Sequence, residues 1–255
     1  MFRFASLGSG SRGNATLVQS DSTLLLIDSG YAVRELARRC ELLGVDPADI
    51  DAVFVTHEHG DHMRGVGALA RRYELPVWMS HGTWHAADFG KLPALQLFNS
   101  HCEPVQVGDV EISPVAVPHD AREPTQFVLR HRELSLGLLT DLGSLTPHLV
   151  RCYAELDALL LECNHDPQML ADGPYPPSLQ ARVGGNFGHL NNGQAADLLG
   201  RIDFRRLRYL VAAHLSEKNN APELAEQALC AVDPAIAGIL SLLCQDQVSD
   251  WFELG

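Results

Sequence analysis

Apolar positions along the chain fall into short blocks whose period changes from segment to segment. Residues 2–7, 14–19 and 23–27 read as strands, the last two joined by the polar turn Ser20, Asp21, Ser22. From Tyr31 to Leu43 the apolar residues Val33, Leu36, Ala37, Cys40 and Leu43 recur at helical spacing, and Gly44 is placed to end the helix. Asp51 to Val55 predicts a short buried strand running into Thr56 and His57, followed by a helix over 64–73 and a strand at 76–79. More strands are predicted at 104–107, 110–117, 125–130 and 133–139, then at Ala158–Leu161 and Tyr209–Ala213. Helices follow Asn191, which can cap one, and Pro222, which can begin one. Between them the stretch from Pro167 to Gly188, rich in Pro and Gly, predicts a loop packed over its neighbours. Two runs of strands, each interrupted by helices, predict an α/β sandwich: two sheets face to face with helices outside.

Length and composition narrow this picture. With 255 residues and 46% hydrophobic content the chain can build one large domain over 1–255, with little left for a second. No stretch approaches the roughly 18 uninterrupted apolar residues of a membrane span, and Met1 to Leu7 does not form a signal-peptide core, so a cytoplasmic protein without a membrane partner is expected. Six scattered cysteines (Cys40, Cys102, Cys152, Cys163, Cys230, Cys244) contain no CxxC pair, which argues against disulfides and a thiolate cluster. A formal charge of −13 means that a nucleic-acid partner must be drawn by a local basic patch or by bound cations. Twelve histidines fall in short clusters beside Asp and Gly, a pattern that points to metal.

Gly8, Ser9, Gly10, Ser11, Arg12, Gly13 matches the dinucleotide-binding fingerprint after a strand. That fold needs a helix immediately afterwards to hold the pyrophosphate, whereas Asn14 to Val18 leads into a hairpin, so the reading is rejected. Two roles stay open for the loop: its amides and Arg12 facing a phosphate, or a plain tight turn.

Thr56, His57, Glu58, His59, Gly60, Asp61, His62 is the richest string in the chain. Three imidazoles and a carboxylate on a loop leaving a buried strand would each need a buried partner, and divalent ions satisfy them together. His57 and His59 can chelate one ion while Asp61 and His62 turn toward a second, with Gly60 allowing the bend between the pairs.

This string resembles the H-x-H-x-D-H signature of the metallo-β-lactamase superfamily. The resemblance implies an αββα sandwich of two mixed sheets with metals at one edge. It maps the early motif Asp onto Asp28 in LLLIDSG, the third-motif His onto His119 in PVAVPHD, the bridging Asp onto Asp141 in LLTDLGS and the final His onto His214 in YLVAAHLS. The implied ligand set is His57, His59 and His119 for one ion, Asp61, His62 and His214 for the other, and Asp141 between them. Nitrogen and oxygen donors without thiolate suit zinc, manganese or iron.

FASLGSGSRGNATLV, LECNHD, GHLNN and AHLSEKNN resemble more narrowly the YycJ/WalJ group of that superfamily, over most of the chain. That group is associated with exonuclease activity on double-stranded DNA, and the layout is also similar to the tRNA-processing RNase Z enzymes. Both imply phosphodiester hydrolysis on nucleic acid, DNA favoured. The chain lacks the β-CASP insertion of the larger nucleases and the long arm of the RNase Z type. The alternative is a small-molecule phosphodiesterase or lactonase on the same scaffold, and a homodimer stays open.

Arg12, Asn14, Lys218 and Asn219 are candidates for substrate contact, whereas Arg205, Arg206 and Arg208 read as a solvated face. Glu162 and His165, after a strand that ends near the metals, are candidates for orienting a ligand imidazole, as is Asp28. Asp61 has a second expected role, orienting the attacking water. His189 in GHLNN matches the non-ligand catalytic histidine of RNase Z-like enzymes and is assigned as general acid. His81, His85, His101, His131 and His148 match no motif and read as structural.

Overall fold

In the computed structural model, which describes residues 1–100 and 103–255, the strands form two sheets of seven. His101 and Cys102 lie outside the described residues. The first sheet opens as an antiparallel meander of β1 (Arg3–Gly8), β2 (Ala15–Gln19) and β3 (Leu24–Ile27). It continues parallel through β4 (Ala52–Phe54), β5 (Pro76–Ser80) and β6 (Ala94–Phe98). The second repeats the plan. β7 (Val105–Val107), β8 (Val110–Ala116), β9 (Thr125–His131) and β10 (Leu134–Leu139) run antiparallel, then β11 (Ala158–Glu162), β12 (Tyr209–Ala213) and β13 (Leu240–Leu242) run parallel. β14 (Phe252–Glu253) returns to pair with β1.

The sequence explains the layering. β3 is apolar throughout and β11 is apolar up to its final Glu162, as strands covered on both faces must be, and every residue in them is buried. Phe4, Phe54, Phe127, Leu136 and Val211 fill the space between the sheets. Outside the first sheet, Leu26, Val53 and Met79 pack with Leu36 and Leu69 from the helices Val33–Glu41 and Val66–Tyr73. Outside the second, Leu159, Leu161 and Leu210 pack with Leu149, Leu198 and Leu229 from the helices Pro147–Cys152, Asn192–Leu199 and Pro222–Cys230. The architecture is the αββα sandwich of two mixed sheets that the strand runs predict.

Local expectations fail in several places. The stretch 167–188 is not a loop throughout: it holds the helices Pro167–Asp172 and Pro177–Val183, each begun by a proline whose missing N–H costs nothing in a first helical turn. β6, β13 and β14 escape the sequence reading because their burial is partial and their pairing is supplied by neighbouring strands. Gly60 starts the short helix Gly60–Met63, where an added Cβ would meet nothing nearer than Arg64 at 3.7 Å, so the bend between the two donor pairs does not require glycine. Cys40, Cys152, Cys163, Cys230 and Cys244 are all free. No helix among the described residues is long and apolar enough to cross a membrane.

Candidate metal centre and cleft

Six residues leave the C-terminal ends of strands at one edge of the sandwich: Asp28 after β3, His57 after β4, His119 after β8, Asp141 after β10, Glu162 ending β11 and His214 after β12. Asp28, Asp141 and His214 hold φ values of 63°, 55° and 53°, a left-handed backbone that costs a side-chain-bearing residue about 1–2 kcal/mol. A close approach from below supports the His-rich loop. Gly30 sits so near the Asp61 carbonyl that a Cβ would meet it at 1.8 Å, and the Asn14 N–H donates to the same carbonyl at 2.8 Å.

Donor atoms gather in the sets His57–His59–His119 and Asp61–His62–His214, and Asp141 groups with His57 and His62. His119 Nε2 lies 3.3 Å from His59 Nδ1, His62 Nε2 lies 3.5 Å from Asp61 Oδ2, and Asp141 Oδ2 lies 3.3 Å from His62 Nε2. The far nitrogens of these rings are tied. His62 Nδ1 donates to Asp28 at 2.7 Å, His119 Nδ1 to the Gly188 carbonyl at 3.0 Å, His214 Nδ1 to Glu162 at 2.9 Å, and His57 Nδ1 lies 3.0 Å from Thr56 Oγ1. Each imidazole therefore presents its remaining nitrogen to the cluster, the arrangement by which outer partners orient metal-binding histidines.

These residues fit a metal centre by two observations. His57 Nε2, His214 Nε2 and Asp141 Oδ2 are buried without a hydrogen-bond partner, a costly state that a cation relieves. The field has the matching sign. Burial lowers His62 and His214, yet Asp141 and the other carboxylates outweigh it, holding His62 well above the ordinary imidazole value and His214 up at about 10. His57 goes the other way, lowered by burial and by His62, so its free nitrogen is a neutral donor.

Glu162 connects the centre to its surroundings. Fully buried, it accepts from His189 Nδ1 and His214 Nδ1, both at 2.9 Å, and from the backbone N–H groups of Asp141, Leu142 and Leu190. Burial alone would raise its carboxyl, but the His189 charge and the bonds from His189 and His214 hold it down to about 2. His189 is partly exposed and lines a cleft of ≈ 350 Å³ over the centre, together with His59, Asp61, Asp141, His214, Tyr175 and Arg182.

The remaining candidates separate. Asn14 is buried, reaches Asp61 Oδ2 at 3.3 Å and exchanges hydrogen bonds with Gly10, so it braces the His-rich loop rather than meeting a substrate. Arg12 is paired with Glu217 and Asp246 at 2.7 and 2.5 Å, and its loop is a turn held by Gln245. Asn219 is fully buried and bonds Ser216 within its own loop, a position from which it cannot touch a substrate. Lys218 is exposed, its Nζ 5.7 Å from the centroid of the Tyr175 ring. His165 is buried beside Asn164 Oδ1 and lowered by that burial to about 4; its ring does not reach the donor cluster.

The sequence reading gave no role to Thr56, which donates to Asp28 Oδ2 at 2.8 Å, although it opens the His-rich string. It also missed Asp120, 3.5 Å from His119 Nε2 and paired with Arg182. Its only signal was adjacency to His119. Ser9, whose Oγ accepts from the His214 N–H at 2.8 Å, lay in the glycine loop considered for phosphate.

Comparison with known proteins agrees with this geometry. Residues 8–158 match the model of the metallo-beta-lactamase superfamily. The chain is 36% identical over 235 residues to exodeoxyribonuclease YycJ of Bacillus anthracis, covering 90% of this chain and 88% of that protein. It is 32% identical over 233 residues to exodeoxyribonuclease WalJ of Streptococcus pneumoniae, covering 89% and 87%. In three dimensions it is similar to the metallo-beta-lactamase fold protein YhfI from Bacillus subtilis, with a TM-score of 0.73, 17% identity and coverage of 97% and 98%. Ligand-bearing strand ends, fold and sequence agree, and the chain belongs to the metallo-beta-lactamase superfamily.

Proposed function

We propose that residues 1–255 act as one metal-dependent phosphodiester hydrolase domain, a cytoplasmic DNA exonuclease using two divalent ions, zinc, manganese or iron. The observation that carries the hydrolase reading is the convergence of three orphaned buried atoms, on His57, His214 and Asp141, between two complete donor triads. The choice of DNA is supported by two relatives that cover about nine tenths of the chain and carry the name exodeoxyribonuclease.

His57, His59 and His119 would hold one ion, Asp61, His62 and His214 the other, with Asp141 serving both. When bound, such ions polarise a phosphoryl oxygen and make water nucleophilic near neutral pH. The chain's own groups do the rest. Asp61, partly exposed at the cleft, orients the attacking water. His189, its Nδ1 fixed by Glu162, presents Nε2 to the cleft and gives a proton to the departing oxygen. Glu162 serves both halves, setting the His214 ring for metal and the His189 ring for proton transfer.

Digestion of end-labelled duplex DNA beside hydrolysis of bis(p-nitrophenyl) phosphate and a lactone, each with and without chelator, tests the reading. Chelator-sensitive shortening of the duplex from an end, with about two ions per chain by elemental analysis, is expected. Turnover of the small diester or of the lactone with the duplex left intact would make the small-molecule alternative correct.

A further inference from the structure

The cleft draws its walls from both sheets. Gly60 lies in the His-rich loop that leaves β4 of the first sheet, whereas Tyr175 and Arg182 follow β11 of the second. Gly60 opens the one-turn helix Gly60–Met63, and the Arg64 N–H donates to its carbonyl at 3.2 Å. Residues four apart share a helix face, and side chains there lean back toward the helix start. The Arg64 guanidinium accordingly folds over Gly60: a Cβ at Gly60 would lie 3.7 Å from Arg64 Nη2 and 4.0 Å from its Nε. Glycine has no side chain to stand between that guanidinium and the cleft, which gives a reason for a glycine that the bend does not require.

An exposed arginine is ordinarily solvated and idle. Arg64 differs in its place and in being unspent. Of the cations around the cleft, Arg12 is paired with Glu217 and Asp246, and Arg182 with Asp120. Arg64 is exposed, and its guanidinium has no hydrogen-bond or ion-pair partner among the described residues. Lys218 is exposed too and meets no carboxylate among the described residues; its Nζ lies 5.7 Å from the centroid of the Tyr175 ring, which lines the cleft. Two unpaired cations thus stand by the cleft, one carried by a loop of each sheet. The chain otherwise has a formal charge of −13, and Asp61 and Asp141 line the cleft itself. Ions held by the donor triads answer only the phosphate under attack. The neighbouring phosphates of a nucleic-acid strand need cations from the chain, whereas a small diester has no such neighbours.

We propose that Arg64 grips the phosphate next to the one being cut and that Lys218 holds a second, so that the strand is laid across the cleft from the Gly60 rim to the Tyr175 wall. This rests on the nuclease reading above and adds the residue that distinguishes a polynucleotide from a small diester. The planar fork of the guanidinium can meet two phosphate oxygens at once, while the lysine acts as a point charge.

Binding of a phosphorothioate-protected duplex to the metal-loaded protein, followed by fluorescence anisotropy from about 50 to 200 mM salt, reads the number of phosphates neutralised. Arg64→Ala should weaken binding by about tenfold or more and make the slope of log affinity against log salt shallower by about one. Arg64→Lys should keep the slope, because counterion release follows charge. Arg64→Ala combined with Lys218→Ala should make it shallower by about two. A double variant no shallower than the single removes Lys218 from the clamp. Arg205→Ala deletes an exposed guanidinium ahead of β12, at the opposite edge of the sandwich, and should keep both slope and affinity. In turnover, Arg64→Ala should lower the ratio of kcat/KM on an unprotected duplex to kcat/KM on bis(p-nitrophenyl) phosphate by about tenfold, through KM. An unchanged slope and ratio in Arg64→Ala, or the same losses in Arg205→Ala, overturns the role of Arg64 while leaving the nuclease reading intact. Failure of the wild type to bind and cut the duplex while it hydrolyses the diester removes the nuclease reading, and this inference with it.

Discussion

Asp28 and Asp141 occupy matching places in the two sheets. Each follows the strand at which its sheet changes from antiparallel to parallel pairing, each is buried, and each has a left-handed backbone, φ 63° and 55°. Their side chains differ. Asp28 accepts from the Thr56 N–H, the Thr56 hydroxyl and His62 Nδ1, whereas Asp141 Oδ2 has no hydrogen-bond partner. Burial raises Asp28 above the usual carboxylate range against the pull of His62 and Thr56. At Asp141 burial is outweighed by His214, His62 and His57, which hold the carboxyl well below that range. One backbone device, repeated in both sheets, thus supplies a carboxylate that holds a histidine and a carboxylate left open for a cation. What separates them is whether neighbouring loops bring hydroxyl and amide donors or only imidazoles.

The largest effect should come from removing the open carboxylate. Asp141→Ala is expected to lose metal and activity together, with excess metal restoring neither; elemental analysis and turnover measured on one preparation decide it. A fully loaded, active variant would end the comparison, because Asp141 would then be no more than a second holder.

His189 extends the contrast to the rings that share Glu162. Both line the cleft, but His214 is buried with its Nε2 unpartnered, whereas His189 is partly exposed. His189→Ala should keep both metals while turnover falls by about 10²- to 10⁴-fold, and substrates with good leaving groups such as nitrophenolate should suffer less. Loss of a metal, or equal slowing of good and poor leaving groups, would place His189 among the ligands.

Asp28→Asn should be milder and of another kind. The carboxylate holds a ligand's ring, so metal affinity should weaken by about 10- to 100-fold with activity recovered at high metal concentration. Metal titration followed by activity distinguishes this rescue from the unrescued Asp141 variant. The smallest effect is expected at the surface. Arg12 is about half exposed, and its ion pairs are screened by solvent, so Arg12→Ala should leave the midpoint of a denaturant titration essentially unchanged. A lowered midpoint would show that the glycine loop, which braces His214 through Ser9, depends on Arg12 as well as on Gln245.

The sequence by itself determined the strand blocks, the sandwich and the His-rich string. Those features are written locally, in apolar runs such as Leu24–Ile27 and Ala158–Leu161 and in the density of imidazoles between His57 and His62. Tertiary structure alone decided the partners. Asn219 looked like a substrate contact because it follows His214 closely, yet the chain folds it fully inside. Arg12 looked free until residues 217 and 246 were brought to it. The double hold of Glu162 on His189 and His214 joins residues 27 and 52 positions apart. Periodicity reports what a residue's near neighbours need. Which polar atom finds a partner, and which is left for an ion, depends on groups far along the chain whose approach only the packed sheets fix.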